Sequence, residues 1–191
     1  MVFYSFLGFS PGSALVALPG GEAWHDFYLM AGTAAVTLVG LLFVSLSLHV
    51  EILFKPQHQD FRELAAQAFQ GYLYVMITAL AFLLPAENGL ILVIMYAFIN
   101  VIMLGRTLAR APAFFAAHRA RGGKARQRWR FFIPAMAYVM GILAVVQWLA
   151  GRTQAGLGFF TPVVMMLAAS TRTSWDLLVY VGRVRAGQPV E

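Results

Sequence analysis

An arginine and an aspartate four residues apart, inside a run of apolar and small side chains, are the first residues here with chemistry to offer. Residues 157–180 read L-G-F-F-T-P-V-V-M-M-L-A-A-S-T-R-T-S-W-D-L-L-V-Y, which places Arg172 and Asp176 where a membrane helix normally carries leucine. A charge at the bilayer centre costs about 2.5–3.5 kcal/mol on insertion scales, so ionisable groups held there meet a partner or a hydrated path. Positions i and i+4 are neighbours on a helix, but acid before base is the favourable order, and here the base comes first. Partners on other helices are therefore expected.

The elements that must position these groups follow from composition. The chain of 191 residues is 60% apolar and 12% charged, against roughly 45–50% and 25% in soluble domains, so the apolar excess has to face lipid. A helix needs about 20 apolar residues to cross the hydrocarbon core. Five stretches qualify, at about 23–53, 64–84, 90–108, 131–150 and 157–182. The reading is one all-α integral membrane domain, a bundle of five transmembrane helices. Pro85, Asn88 and Gly89 mark a tight turn between the second and third spans.

Basic residues set the orientation. Lys55, Arg62, Arg106, Arg110, Arg119, Arg121, Lys124, Arg126, Arg128, Arg130, Arg183 and Arg185 fall on one side, and Arg152 on the other. That puts the N-terminus outside and the C-terminus in the cytoplasm. It also accounts for the formal charge of +6 without a nucleic-acid partner. Residues 1–22 contain no Lys or Arg and so lack the basic start of a signal peptide. They are expected to form a short outer interfacial segment anchored by Phe3, Tyr4, Phe6 and Phe9.

Residues 109–130 are expected to be a basic cytoplasmic loop. Within it P-A-F-F-A-A-H-R-A-R, residues 112–121, starts with proline and is followed by Gly122-Gly123, the punctuation of a short helix. Two readings stand: a solvated positive-inside loop, or a contact for anionic lipid headgroups or a partner through Phe114, Phe115, Arg119 and Arg121.

Depth selects candidate partners for the intramembrane pair. At about 1.5 Å per residue, Arg172 and Asp176 lie roughly 15 and 9 Å from the cytoplasmic end of their span. Asn100 and Arg106 of the third span and Gln67 and Gln70 of the second fall in the same half. The expected cluster joins Arg172 to Asn100, and Asp176 to Arg106 or Gln70, with Ser170, Thr171, Thr173 and Ser174 completing it. Such a cluster fixes helix register or lines a route for an ion or proton; a third reading has Asp176 simply interfacial. On the first helix Gly32, Ala35 and Gly40 are small enough to let another backbone approach.

Several chemistries lack their residues. There is no cysteine, hence no disulfide or thiolate metal site. Neither H-E-x-x-H, G-x-S-x-G nor a P-loop occurs. Glu22, His25 and Asp26 are too loosely spaced to suggest a metal, and His25 and His49 lie about 36 Å apart along one helix, which disfavours bis-His haem. No enzyme activity and no cofactor are expected.

The string W-H-D-F-Y-L-M-A-G-T-A-A-V-T-L-V-G-L-L-F-V-S-L-S-L, residues 24–48, and T-S-W-D-L-L-V-Y-V-G-R, residues 173–183, resemble the start and finish of an uncharacterised group of bacterial multi-pass proteins often labelled "modulator of FtsH protease". The resemblance implies an inner-membrane location and carries over no catalytic residue. Members of that group have a neutral side chain before the tryptophan–leucine run, so Arg172 and Asp176 stand as departures. The functional expectation is an accessory or scaffolding subunit of a homo- or hetero-oligomeric membrane assembly. The alternative is a small oligomeric channel or transporter whose path passes the polar residues of helices three and five.

Overall fold

The structure, a computed structural model, describes residues 21–51, 59–84, 89–120, 125–151 and 155–186, and among them there are helices and no strand. The helices are α1 (Gly21–Leu48), α2 (Gln59–Leu83), α3 (Gly89–Ala120), α4 (Ala125–Leu149) and α5 (Ala155–Arg185). Four contain a segment long and apolar enough to cross a membrane: Trp24–Leu48, Phe61–Leu83, Gly89–Pro112 and Trp129–Leu149. The 31 residues of α5 extend about 46 Å, but S-T-R-T-S-W-D, residues 170–176, dilutes its hydropathy. The interfacial anchors Phe3, Tyr4, Phe6 and Phe9 lie outside the described residues.

The expected basic loop at 109–130 is a correction. Helix α3 continues through Pro112 to Ala120, and α4 has already begun at Ala125. Hydropathy marks the lipid-crossing part of a helix, whereas backbone hydrogen bonds continue wherever propensity allows. Alanine and arginine, which dominate both ends, are good helix formers.

Helix α5 packs between α2 and α4; α1 lies on α2, α3 lies on α4, and narrower contacts join α1 to α5 and α2 to α3. Aromatic residues tie one end of the bundle. Trp24 of α1 stacks on Phe160 of α5 at 5.1 Å, Tyr28 stacks on Phe82 of α2 at 4.7 Å, and Tyr96 of α3 meets Phe159 of α5 at 5.3 Å. These rings belong to a core that draws on all five helices. At the other end a second core joins Leu42 of α1, Phe61, Leu64, Ala65, Ala68 and Tyr72 of α2, and Leu177 and Val181 of α5.

Small residues set the helix separations. A Cβ on Gly32 would stand 2.9 Å from Ala79 Cβ, and Ala35 is fully buried. The first helix thus uses two of its three expected packing residues. Gly40 is the exception: it is exposed, with nothing near its missing side chain. It lies on the outward side of α1, because a small residue permits close approach without requiring it. Unforeseen close approaches occur at Gly71, where an added Cβ would run into Ser170 of α5, at Gly141, where it would stand 2.5 Å from Asn100 Oδ1, and at Gly158, where it would stand 2.8 Å from Ala144 Cβ and 3.2 Å from its Cα.

Because Ala144 meets Gly158 partly with backbone, the site has little room to yield. Gly158→Ala should lower stability by about 1–3 kcal/mol, whereas Gly40→Ala should raise it by up to about 1 kcal/mol through helix propensity. Unfolding in detergent followed by circular dichroism distinguishes them; a neutral Gly158→Ala would contradict the α4–α5 crossing described.

Candidate functional site

The buried polar groups fall into two separate sites rather than one. In the first, Asn100 of α3 is 0% exposed between α2 and α4. Its Nδ2 donates to the Tyr96 carbonyl one turn back at 2.8 Å, and its Oδ1 accepts from the Tyr74 hydroxyl at 3.0 Å. A hydroxyl has one hydrogen. With Tyr74 donating to Asn100, the 3.3 Å contact between Tyr74 and Tyr96 must be a donation from Tyr96. The carboxamide and two phenols thus form a directed chain linking α2 to α3, with the Tyr138 ring of α4 edge-on to Tyr74 at 5.3 Å.

The second site lies at the opposite end, where α4 starts. Arg130 Nη2 donates to Asp176 Oδ2 at 2.8 Å, with the aspartate side chain 8% exposed and the arginine 28%. Gln67 of α2 donates from Nε2 to the Arg130 carbonyl at 2.6 Å. The reason is covalent. In a helix the 130 carbonyl would accept from the N–H of residue 134, and residue 134 is proline, which has none. Gln67 supplies the missing donor from the neighbouring helix. Gln67, Arg130, Ile133, Arg172, Thr173 and Asp176 line a void of about 20 Å³ together with Trp129 and Ala169, room for a single water. Arg130 Nε is buried without a partner.

Depth matching therefore chose the wrong pairs. Asn100 is enclosed by tyrosines while Arg172 is exposed, so the expected Arg172–Asn100 contact is replaced by a phenol–carboxamide chain. Among the described contacts Asp176 pairs with Arg130 rather than with Arg106 or Gln70. Arg106 is exposed on α3, and the Gln70 amide donates to Met103 Sδ at 3.1 Å. Depth fixes one coordinate of a bundle; the angle around its axis is the other, and α4 packs on both α3 and α5. The expectation of an interhelical partner for Asp176 does match the structure. Arg130 was passed over because it was assigned to a loop; Pro134, with its unmatched carbonyl four residues back, was the signal.

The hydroxyls near the pair are partly engaged locally. Thr171 and Thr173 donate to the Leu167 and Ala169 carbonyls at 2.8 and 2.9 Å. Ser174 lies 3.2 Å from the Tyr72 hydroxyl of α2, and Ser170 is buried against Gly71. The side chains of Phe114, Phe115 and Arg119, and all of Arg121, lie outside the described residues, as does the Glu22 side chain. No protein-family model, curated protein or solved structure matches the chain.

Removing the donor at Gln67 should leave the Arg130 carbonyl unsatisfied. Gln67→Leu is expected to cost about 1–3 kcal/mol, and Pro134→Ala in the same chain should restore most of it by returning the backbone N–H. Lack of rescue in unfolding measurements would show that Gln67 acts otherwise. Arg130→Gln, which strands the Asp176 carboxylate, is expected to cost about 3 kcal/mol, and Arg130→Gln with Asp176→Asn less. An additive double-mutant cycle would contradict the pair.

Proposed function

We propose that the protein is a non-enzymatic integral membrane protein that serves as an accessory or scaffolding subunit of a larger membrane assembly. In this reading α5 is a fifth span, the N-terminus is outside, the C-terminus is cytoplasmic, and the membrane is a bacterial inner membrane. Support for the fifth span comes from α5 contributing to both cores, Phe159 to one and Leu177 and Val181 to the other. A helix that packs along α2 and α4 over that length shares their depth. The orientation rests on the positive-inside distribution, and the bacterial inner membrane on the family resemblance.

The observation that carries the accessory role is the matching of intramembrane polar groups within one chain: Asn100 with Tyr74 and Tyr96, and Asp176 with Arg130. A conducting path would instead present such groups to a continuous hydrated cavity. Alongside them, α1 turns Leu29, Met30, Val36, Leu41, Phe43 and Val44 outward. An apolar flank at this depth suits lipid and a neighbouring membrane helix alike.

Two measurements test this. In mild detergent the protein should run as an assembly heavier than one 21.0 kDa chain, with itself or with other membrane chains; a homogeneous monomer would contradict the role. Because the chain has no cysteine, single substitutions report topology cleanly. A membrane-impermeant maleimide on intact cells should label Arg152→Cys and spare Lys124→Cys until the membrane is opened. The reverse pattern would invert the assignment.

A further inference from the structure

Arg172 is the charged group of the second site that the ion pair leaves over. Asp176 faces Arg130 and is nearly covered, whereas Arg172 is exposed. Two guanidiniums and one carboxylate border the same small void, so its described lining carries one net positive charge. Arg172 shares the outward face of α5 with Ala168, Thr171, Trp175, Leu178 and Val179, all exposed. The Thr171 hydroxyl on that face already donates to the Leu167 carbonyl. What approaches Arg172 from outside must therefore bring its own negative charge.

Its level is legible from neighbours. Trp129 opens the apolar segment of α4, and Trp129, Arg130 and Ile133 line the void that Arg172 also lines. The Arg172 side chain is thus within about one turn of Trp129 at the cytoplasmic rim, not the roughly 15 Å inside it that span length suggests. Trp129 and Trp175 are 64% and 66% exposed, as tryptophans are where hydrocarbon meets headgroups. Beside them Thr171, Arg172, Trp175 and Asp176 border a shallow, open hollow on the surface of α5. A guanidinium binds phosphate through paired N–H donors, and basic pockets between helices on the cytoplasmic side take anionic headgroups.

We propose that this face of α5 binds the headgroup of an anionic phospholipid, its phosphate paired with Arg172 and its glycerol and upper acyl chain against Trp175 and Trp129. The site is separate from the basic hairpin at residues 112–121 and rests on the reading of α5 as a membrane span. The acid in the hollow does not oppose it, because Asp176 is neutralised by Arg130. A phosphate balances the positive charge left over in the described lining.

The test places the full chain in phosphatidylcholine vesicles containing a minor fraction of phosphatidylglycerol, phosphatidylethanolamine or phosphatidylcholine brominated on the acyl chains, and reads tryptophan quenching. Brominated phosphatidylglycerol should quench more than the other two. The excess should fall in Trp175→Phe and vanish when Trp129→Phe is added to it, weaken about fivefold in affinity in Arg172→Gln, and persist in Arg172→Lys. Equal quenching by the three lipids, or an excess unchanged in Arg172→Gln, overturns the site. Should Arg172→Gln not extract as a folded chain, the wild-type preference and its loss in the Trp129→Phe, Trp175→Phe double variant decide alone. If Trp175 is shielded from every lipid in a stable dimer, the face belongs to a second copy and the proposal falls. If it is shielded in a monomer, the reading of α5 as a span fails first.

Discussion

A nearly covered carboxylate has to be neutralised from within the protein, and the contact of Asp176 with Arg130 is where this chain meets that constraint. The partners come from two helices, so the pair fixes the rotation of α4 against α5 as well as their depth. Around it the sequence is arranged to hold α4 in place. Pro134 takes away a backbone donor, Gln67 of α2 replaces it, and three helices are joined at one residue. Buried ion pairs add little net stability, because desolvation offsets attraction, but they penalise every arrangement that separates the charges. The pair therefore acts more on specificity than on stability.

Between the helices, apolar burial cannot drive association as it does in water, since lipid is as apolar as leucine. Close approach at small residues takes over, at Gly32, Gly71, Gly141 and Gly158. Each brings a backbone near a neighbour on a different helix, and one of them, Gly141, also makes space for the Asn100 carboxamide. Removing a side chain at one helix thereby admits a polar side chain from another. The tyrosines then satisfy it without water.

The sequence made the architecture legible to the extent that lipid enforces it. Apolar length gave five helices close to their observed positions, and Gly32 and Ala35 were identified as packing residues. Interhelical partnership for Asp176 followed from the unfavourable order of the Arg172–Asp176 pair. What could not be read was angular. Asn100, Arg106, Gln70 and Arg172 are expected in one half of the bilayer from their spans alone, yet they point to different neighbours. Hydropathy also starts α4 too late, at residue 131 rather than Ala125, and so leaves Arg130 among loop residues. Charged residues at a span's edge lower its hydropathy without ending its helix, and the Arg130–Asp176 contact sits on that discrepancy.

The replacement of the basic loop by two helix ends has a mechanical consequence. Four residues, 121–124, separate the end of α3 from the start of α4, and Arg130 lies in the second turn of α4. A helix carries displacement along its axis where a slack loop would absorb it. A load on the hairpin tip acts as a lever on α4, with the Arg130–Asp176 contact near the fulcrum. Torque applied outside the membrane is thereby delivered to the charges within it.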